Sequence, residues 1–578
     1  MKVIGALFLL IPLAFGQSTS TQPPQQSSAQ ADNSAVKPED KCAVEGKVLN
    51  AVTGEPLKKA HVTLHRTDST TVNAAPYGAV TDAAGRFTIT NVDPGHYHVS
   101  AERNGFVRSE NTPRKLKSIP DTLTLETAQK VGDLQIKLTP QGVITGRVVD
   151  EDNEPVSYVM IQCMRYRYMN GKKTLMNWGS ATTNDKGEYR AFGLAAGKYY
   201  LSATYRQNMG GPAEIRSQAT AEEEYVQTYY PNALDPTNAI QVDVASGAEV
   251  SGMDIRLLRA KTLLISGTVM NRTKSSIPVQ VMLSKQDSSP ANFPAMKRAM
   301  TDAKGRFVIR GVMPGAYTLQ ALEISDQQQR AALLQVTVGD SNLDGVQLAF
   351  GSSPEISGIF KIENSPQQGR DQQQNQAQQT ESDAAPSRHV FLNPESNLPM
   401  YMGNGGDVKE DGTFTLKNIM PQKYRISVYP LDGDAYLKEV VIGDKETVDG
   451  RVDFSSGIDA TQIKIVVSMN GAHIEGSVKD DKQQTTPRAT VVLVPNPTDA
   501  TPRYKFASTD QNGHFALRGI APGKYKLYAF DQIDSGAFYD VDYMKPFDGK
   551  GETVDISEGD RLTRDLTLIV NDEDGSQR

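Results

Sequence analysis

Four of the seven histidines in this chain lie within one short stretch, and imidazole is the side chain best suited to hold a metal or move a proton near neutral pH. His61 and His65 flank Val62 and Leu64, while His96 and His98 flank Tyr97. Residues two apart on an extended strand share a face, so each pair turns two imidazoles to the same side. Such a pair could ligate a metal, and it reads equally well as ordinary exposed polar positions. Reading three residues forward from every histidine gives Leu64, Asp68, Val99, Ala101, Leu392, Gly476 and Leu517. No His-x-x-Glu pair of a zinc peptidase is therefore present, and HExxH, GxSxG and Walker A patterns are also missing. No catalytic residue, enzymatic activity, metal or cofactor is expected.

A second group of residues could bind rather than react. Tyr158, Tyr166, Tyr168, Trp178, Tyr199, Tyr200 and Tyr205 stand close together, with Arg165, Arg167 and Met169 among them. Sugars stack on flat exposed rings, and aromatic residues with arginine are also the composition of protein-binding hot spots. Tyr166 and Tyr168 share one strand face, and together with Trp178 they are the candidate ligand-binding residues. Packing within or between domains is the competing reading. The two cysteines, Cys42 and Cys163, read as free thiols, with an inter-domain disulfide as the alternative in an oxidising compartment.

The elements that must position these residues come from an internal repeat. Five segments carry two aromatics ten residues apart: Phe87 and Tyr97, Tyr189 and Tyr199, Phe307 and Tyr317, Phe414 and Tyr424, Phe515 and Tyr525. A turn glycine precedes each first aromatic: Gly85, Gly187, Gly305, Gly412 and Gly513. A second turn, Pro94-Gly95 in the first copy, precedes the second aromatic; Ala196-Gly197 replaces it in the second and Pro421-Gln422 in the fourth. Each copy opens on a Gly-x-apolar strand, at Gly46, Gly146, Gly267, Gly358 and Gly476, and closes on an alternating strand such as LQIKL at 134–138. Strict alternation marks half-buried strands, and many short strands with regular turn signals predict β-sandwiches. Each copy is long enough for its own core, which predicts beads on a string.

The sequence Gly-x-Val, then Asp-x-x-Gly-x-Phe, then Pro-Gly-x-Tyr-x-Leu resembles the carboxypeptidase regulatory-like domain, over nearly all of residues 42–572. The resemblance implies an all-β chain of five tandem transthyretin-like (Ig-like, Greek-key) β-sandwich domains, also classed as a carbohydrate-binding-like fold, and it implies no catalysis. Related collagen-adhesin domains link a strand Lys to a strand Asn. The matching opening positions here hold Lys47, Arg147, Thr268, Ile359 and Ser477, and the closing strands hold no Asn, so no such bond is expected.

The expected organisation is a signal peptide at 1–16, a disordered leader at 17–41, and repeats at 42–139, 140–259, 260–351, 352–469 and 470–572. The fourth repeat carries a Gln-rich insertion at 362–388. Lys2 followed by the apolar run Val3–Phe15 and the small-x-small Ala14-Phe15-Gly16 predicts export, with no later transmembrane segment. A net charge of −7 argues against nucleic acid as partner. The expectation is an exported, non-enzymatic protein with a binding or structural role at the cell envelope. Its partner would be polysaccharide or another envelope protein, with an array of carbohydrate-binding modules as the alternative.

Overall fold

The computed structural model describes residues 37–571 apart from 68–74, 109–121, 170, 206–222, 273–276, 287–295, 325–328, 352–354, 364–387, 396–403, 418, 421, 432, 448–449, 456–461, 497 and 499–502. The predicted signal peptide, nearly all of the predicted leader, most of the Gln-rich insertion and Pro421 fall outside them.

The first repeat shows how the pattern folds. Its strands are β1 (Cys42–Asn50), β2 (His61–Arg66), β3 (Tyr77–Val80), β4 (Arg86–Val92), β5 (Gly95–Glu102), β6 (Thr122–Leu125) and β7 (Lys130–Leu138). One sheet has the order β4-β1-β7 and the other β3-β2-β5-β6. β1 runs antiparallel to β4 and parallel to β7. Alternation sends Val62, Leu64, Phe87, Ile89, Tyr97 and Val99 into the gap between the sheets, where all are buried.

Three strands facing four recur down the chain with the same order. The second repeat runs from β8 (Gly142–Val149) through β9 (Val159–Met169), β10 (Lys172–Thr182), β11 (Glu188–Leu194) and β12 (Gly197–Tyr205). Its closing strand is split in two, as is that of the fifth repeat. The fourth repeat adds a hairpin, Tyr436–Ile442 with Lys445–Thr447, outside its closing strand Gln462–Ser468. Each of these five blocks has its own apolar cluster. The chain is all-β; among the described residues the only α-helix is the single turn Val541–Met544. No described helix is long and apolar enough to cross a membrane.

The opening glycine has a partner that alternation alone does not reveal. Gly46 pairs with Phe87, Gly146 with Tyr189, Gly267 with Phe307, Gly358 with Phe414 and Gly476 with Phe515. The first aromatic of each repeat thus lies opposite the bare glycine, as in aromatic rescue of strand glycines. The closing segment also comes close: a Cβ on Gly46, Gly146, Gly267 or Gly476 would overlap the carbonyl oxygen of Leu134, Met253, Val346 or Arg564 respectively.

The turns are built as the residue types predict. Gly85, Gly187, Gly305, Gly412 and Gly513 all have φ between 71° and 82°, the left-handed region that glycine enters without steric cost. The Asp82 carboxylate accepts from the amides of Ala84 and Arg86 at 2.9 and 2.8 Å. Asn184, Asp302 and Asp510 do the same in their repeats. A threonine one residue before each of these, Thr81, Thr183, Thr301 or Thr509, accepts from the backbone N–H that leads into the neighbouring strand.

The beads-on-a-string expectation needs correction. The fifth repeat touches the first and second as well as its neighbour. The Gln511 carboxamide bonds both backbone groups of Thr124, and Tyr168 packs against Tyr543. A sequence separation of 387 residues leaves no local signal for such a contact.

Candidate functional site

The β9–β10 hairpin of the second repeat carries all three predicted ligand-binding residues, Tyr166, Tyr168 and Trp178. Cys163 is wholly buried between the sheets, so alternation turns Arg165 and Arg167 inward and Tyr166 and Tyr168 outward. The Tyr166 ring meets Tyr200 edge-on at 5.5 Å, with the Lys173 ammonium 5.5 Å from its centre. Tyr168 meets Tyr543 of the fifth repeat at 5.4 Å and packs against that repeat's outer apolar cluster.

Trp178 lies elsewhere. It stands three residues beyond Leu175, the cross-strand partner of Tyr166, and so emerges on the opposite face, at a bulge where the β9–β10 register shifts between Asn177 and Gly179. Trp178 packs against the inter-sheet core, and the Arg167 guanidinium lies 4.3 Å from its ring centre. Arg165 reaches across to the buried Tyr199, 5.2 Å from its ring. Burial disfavours the charged Arg167 and Asp534 opposes that effect. Burial also pushes the Tyr199 hydroxyl up to about 12. The structure therefore brings Tyr166 and Tyr168 onto one face and sets Trp178 with the arginines on the other. All three rings are half-buried.

The four histidines of the first repeat do share a sheet. β2 and β5 are antiparallel neighbours, and His65 stands directly opposite His98. His61, His65 and His96 are exposed and His98 is half-buried. The His96 Nδ1 lies 3.2 Å from the Thr124 hydroxyl. Among the described residues no group of three or more His, Cys, Asp or Glu converges on a metal position.

Cys42 and Cys163 are buried in different repeats and are not bonded to each other. The Cys42 thiol donates to the Glu126 carbonyl at 3.0 Å, and burial pushes the Cys163 thiol up to about 12. Both thiols are buried, so neither should react in the folded chain. Titration with a polar thiol reagent is expected to find no reactive thiol in the native protein and two after unfolding, with or without prior reductant. A count that rises with reductant would reveal a disulfide.

Sequence reasoning missed two half-buried lysines. Lys297 and Lys505 stand five residues before Asp302 and Asp510, at the same position of the third and fifth repeats. Burial lowers both ammonium groups, and the Glu224 carboxylate partly offsets this for Lys297. Their signal was a lysine in an inward register, two residues before the inward Ala299 and Ala507.

A family model described as the carboxypeptidase regulatory-like domain matches residues 43–139. Among solved structures, the minor pilin of Streptococcus agalactiae is 15% identical with a TM-score of 0.22, covering 38% of this chain and 96% of the pilin. The major pilin subunit BcpA of Bacillus cereus is 12% identical with a TM-score of 0.14, covering 54% of this chain and 99% of the pilin. No curated protein matches the chain. Residues 43–139, the repeat that holds the paired histidines, match the carboxypeptidase regulatory-like domain.

Proposed function

We propose that the chain is an exported, non-enzymatic protein of five β-sandwich domains that binds partners or builds structure at the cell envelope. The domains run 42–139, 140–259, 260–351, 352–469 and 470–572. One observation carries the reading: the polar residues of the repeat motif are engaged in holding the fold. The turn carboxylates cap backbone amides, the threonines pin strand entries, and four of the five motif tyrosines donate to backbone carbonyls. A residue held this way offers no free nucleophile or general base. Export rests on the apolar run at residues 3–15.

The purified, zinc-supplemented chain is expected to release no product from peptide or glycan substrates, and turnover above a heat-killed control would overturn the non-enzymatic reading. A tagged chain is expected in the envelope or the medium. The carbohydrate alternative has its residue-level support in the outward Tyr166 and its neighbour Tyr200. Retention on envelope polysaccharide that Tyr166→Ala abolishes would establish it, and retention unchanged by that substitution and by Trp178→Ala would end it.

A further inference from the structure

The excursion between the last two long strands of the fifth repeat is a second small core laid over its four-stranded sheet. Gly536, at φ 85°, turns the chain into the short helical segments Ala537–Tyr539, Val541–Met544 and Lys545–Lys550. Asp540 caps the middle one by accepting from the amides of Asp542 and Tyr543 at 2.9 and 3.2 Å. Phe538, Met544 and Phe547 are buried there against Val492, Tyr528 and Phe530. The opposite side of the excursion faces the β9–β10 hairpin of the second repeat.

Glycines on both sides let the two backbones meet. A Cβ on Gly171, at the hairpin tip, would stand 2.7 Å from the Tyr539 oxygen and 3.2 Å from the Tyr539 Cβ. A Cβ on Gly536 would stand 3.1 Å from the Tyr168 oxygen. Between these close approaches the Tyr168 and Tyr543 rings pack edge-on. A second contact lies on the first repeat. The Gln511 Oε1 accepts from the Thr124 N–H at 3.1 Å, and its Nε2 donates to the Thr124 carbonyl at 2.9 Å. The carboxamide thereby reproduces the two-bond exchange of a neighbouring strand on the edge strand β6. An edge strand otherwise presents unpaired backbone groups.

We propose that the fifth repeat is a latch that closes the array within one chain, its 533–547 excursion occupying the aromatic hairpin of the second repeat and Gln511 sealing the edge of the first. This goes beyond the envelope role, because it assigns the Tyr168 face an occupant from the same chain. An outside partner reaches that face only when the latch opens.

The test uses the full mature chain. In a Gly171→Cys/Tyr539→Cys pair the Cβ atoms would start 3.2 Å apart, so a small outward shift of the hairpin tip brings them into a disulfide's usual range of about 3.5–4.5 Å. Mild oxidation with oxidised glutathione is expected to link residues 171 and 539 within a monomer in most molecules, as read by peptide mass mapping, while either single variant forms no such link. Absence of the link, or a link between two chains, would overturn the proposal. Should the glycine substitution disturb the hairpin, small-angle scattering decides independently. The radius of gyration of Tyr168→Asp/Gln511→Ala is expected to exceed that of the unsubstituted chain, and equal radii would overturn the latch.

Discussion

Gly476→Ala is expected to unfold the fifth repeat's three-stranded sheet. The added methyl would overlap the Arg564 carbonyl oxygen, in the backbone between the two closing strand pieces and held by the Arg564 N–H to the Glu475 carbonyl, so neither side can yield by rotating a side chain. Overpacking in a filled core costs about 1–3 kcal/mol, and a backbone neighbour places this site at the upper end. Hydrogen exchange resolved by peptide should show protection lost across 472–479 and 514–520 and retained in the first repeat. The contrast is Gly339→Ala, where a Cβ meets nothing within 4 Å; its effect should stay within about 0.5 kcal/mol. Equal protection in the two variants would remove the steric account of the opening glycine.

The second large effect is expected at the motif tyrosine. Tyr97, Tyr199 and Tyr525 are essentially inaccessible, and their hydroxyls donate to the carbonyls of Asp93, Ala195 and Ala521 at 2.7, 2.6 and 2.7 Å. Each ring fills the core while its tip closes the preceding turn. Tyr97→Ala removes a buried ring and should cost about 3–5 kcal/mol, enough to unfold a small sandwich. Tyr97→Phe removes one hydrogen bond, worth about 0.5–1.5 kcal/mol. The fourth repeat should respond differently. There the Tyr424 hydroxyl accepts from the Met420 amide at 3.0 Å and from the Gln422 side chain at 3.1 Å. Tyr424→Phe takes that acceptor from the buried Met420 amide, for which the unmet desolvation is about 1–3 kcal/mol, and also takes one partner from Gln422. The predicted ranking is that Tyr→Phe destabilises the fourth repeat more than the first, read as midpoint shifts in peptide-resolved unfolding by urea. The reverse ranking would sink the role given to Gln422.

These two sites show how far the sequence reaches. The ten-residue aromatic spacing and the turn glycines are local, and the strands, the left-handed turns and the buried rings follow from them. Gln422 in place of a turn glycine marked the fourth repeat as divergent, but not that its amide would recruit the tyrosine hydroxyl. The glycine–aromatic pairing needs the antiparallel register of strands some forty residues apart, as with Gly46 and Phe87. At the candidate site, alternation placed Tyr166 and Tyr168 correctly because β9 is regular. Residue type alone groups Trp178 with them; it stands three residues beyond Leu175, the cross-strand partner of Tyr166, and so faces the arginine side, and that pairing cannot be read from the sequence. The meeting of Tyr168 with Tyr543 depends on how the repeats dock, and no local pattern encodes that.

The parallel pairing of first and last strands has a mechanical consequence. In the first repeat β1 and β7 lie side by side over seven residue pairs, so the chain enters at one end of the sandwich and leaves at the other. Tension applied along the chain therefore pulls the two strands lengthwise past each other, and the ladder's bonds share the load instead of opening one after another. The fourth repeat has a ladder of the same seven pairs, without the register shift that the first carries between Val44 and Gly46. In the second and fifth repeats the ladder is interrupted and only short pieces resist shear. Those two repeats are the ones joined by the Tyr168–Tyr543 contact, which gives a stretched chain a load path that bypasses its weakest ladders.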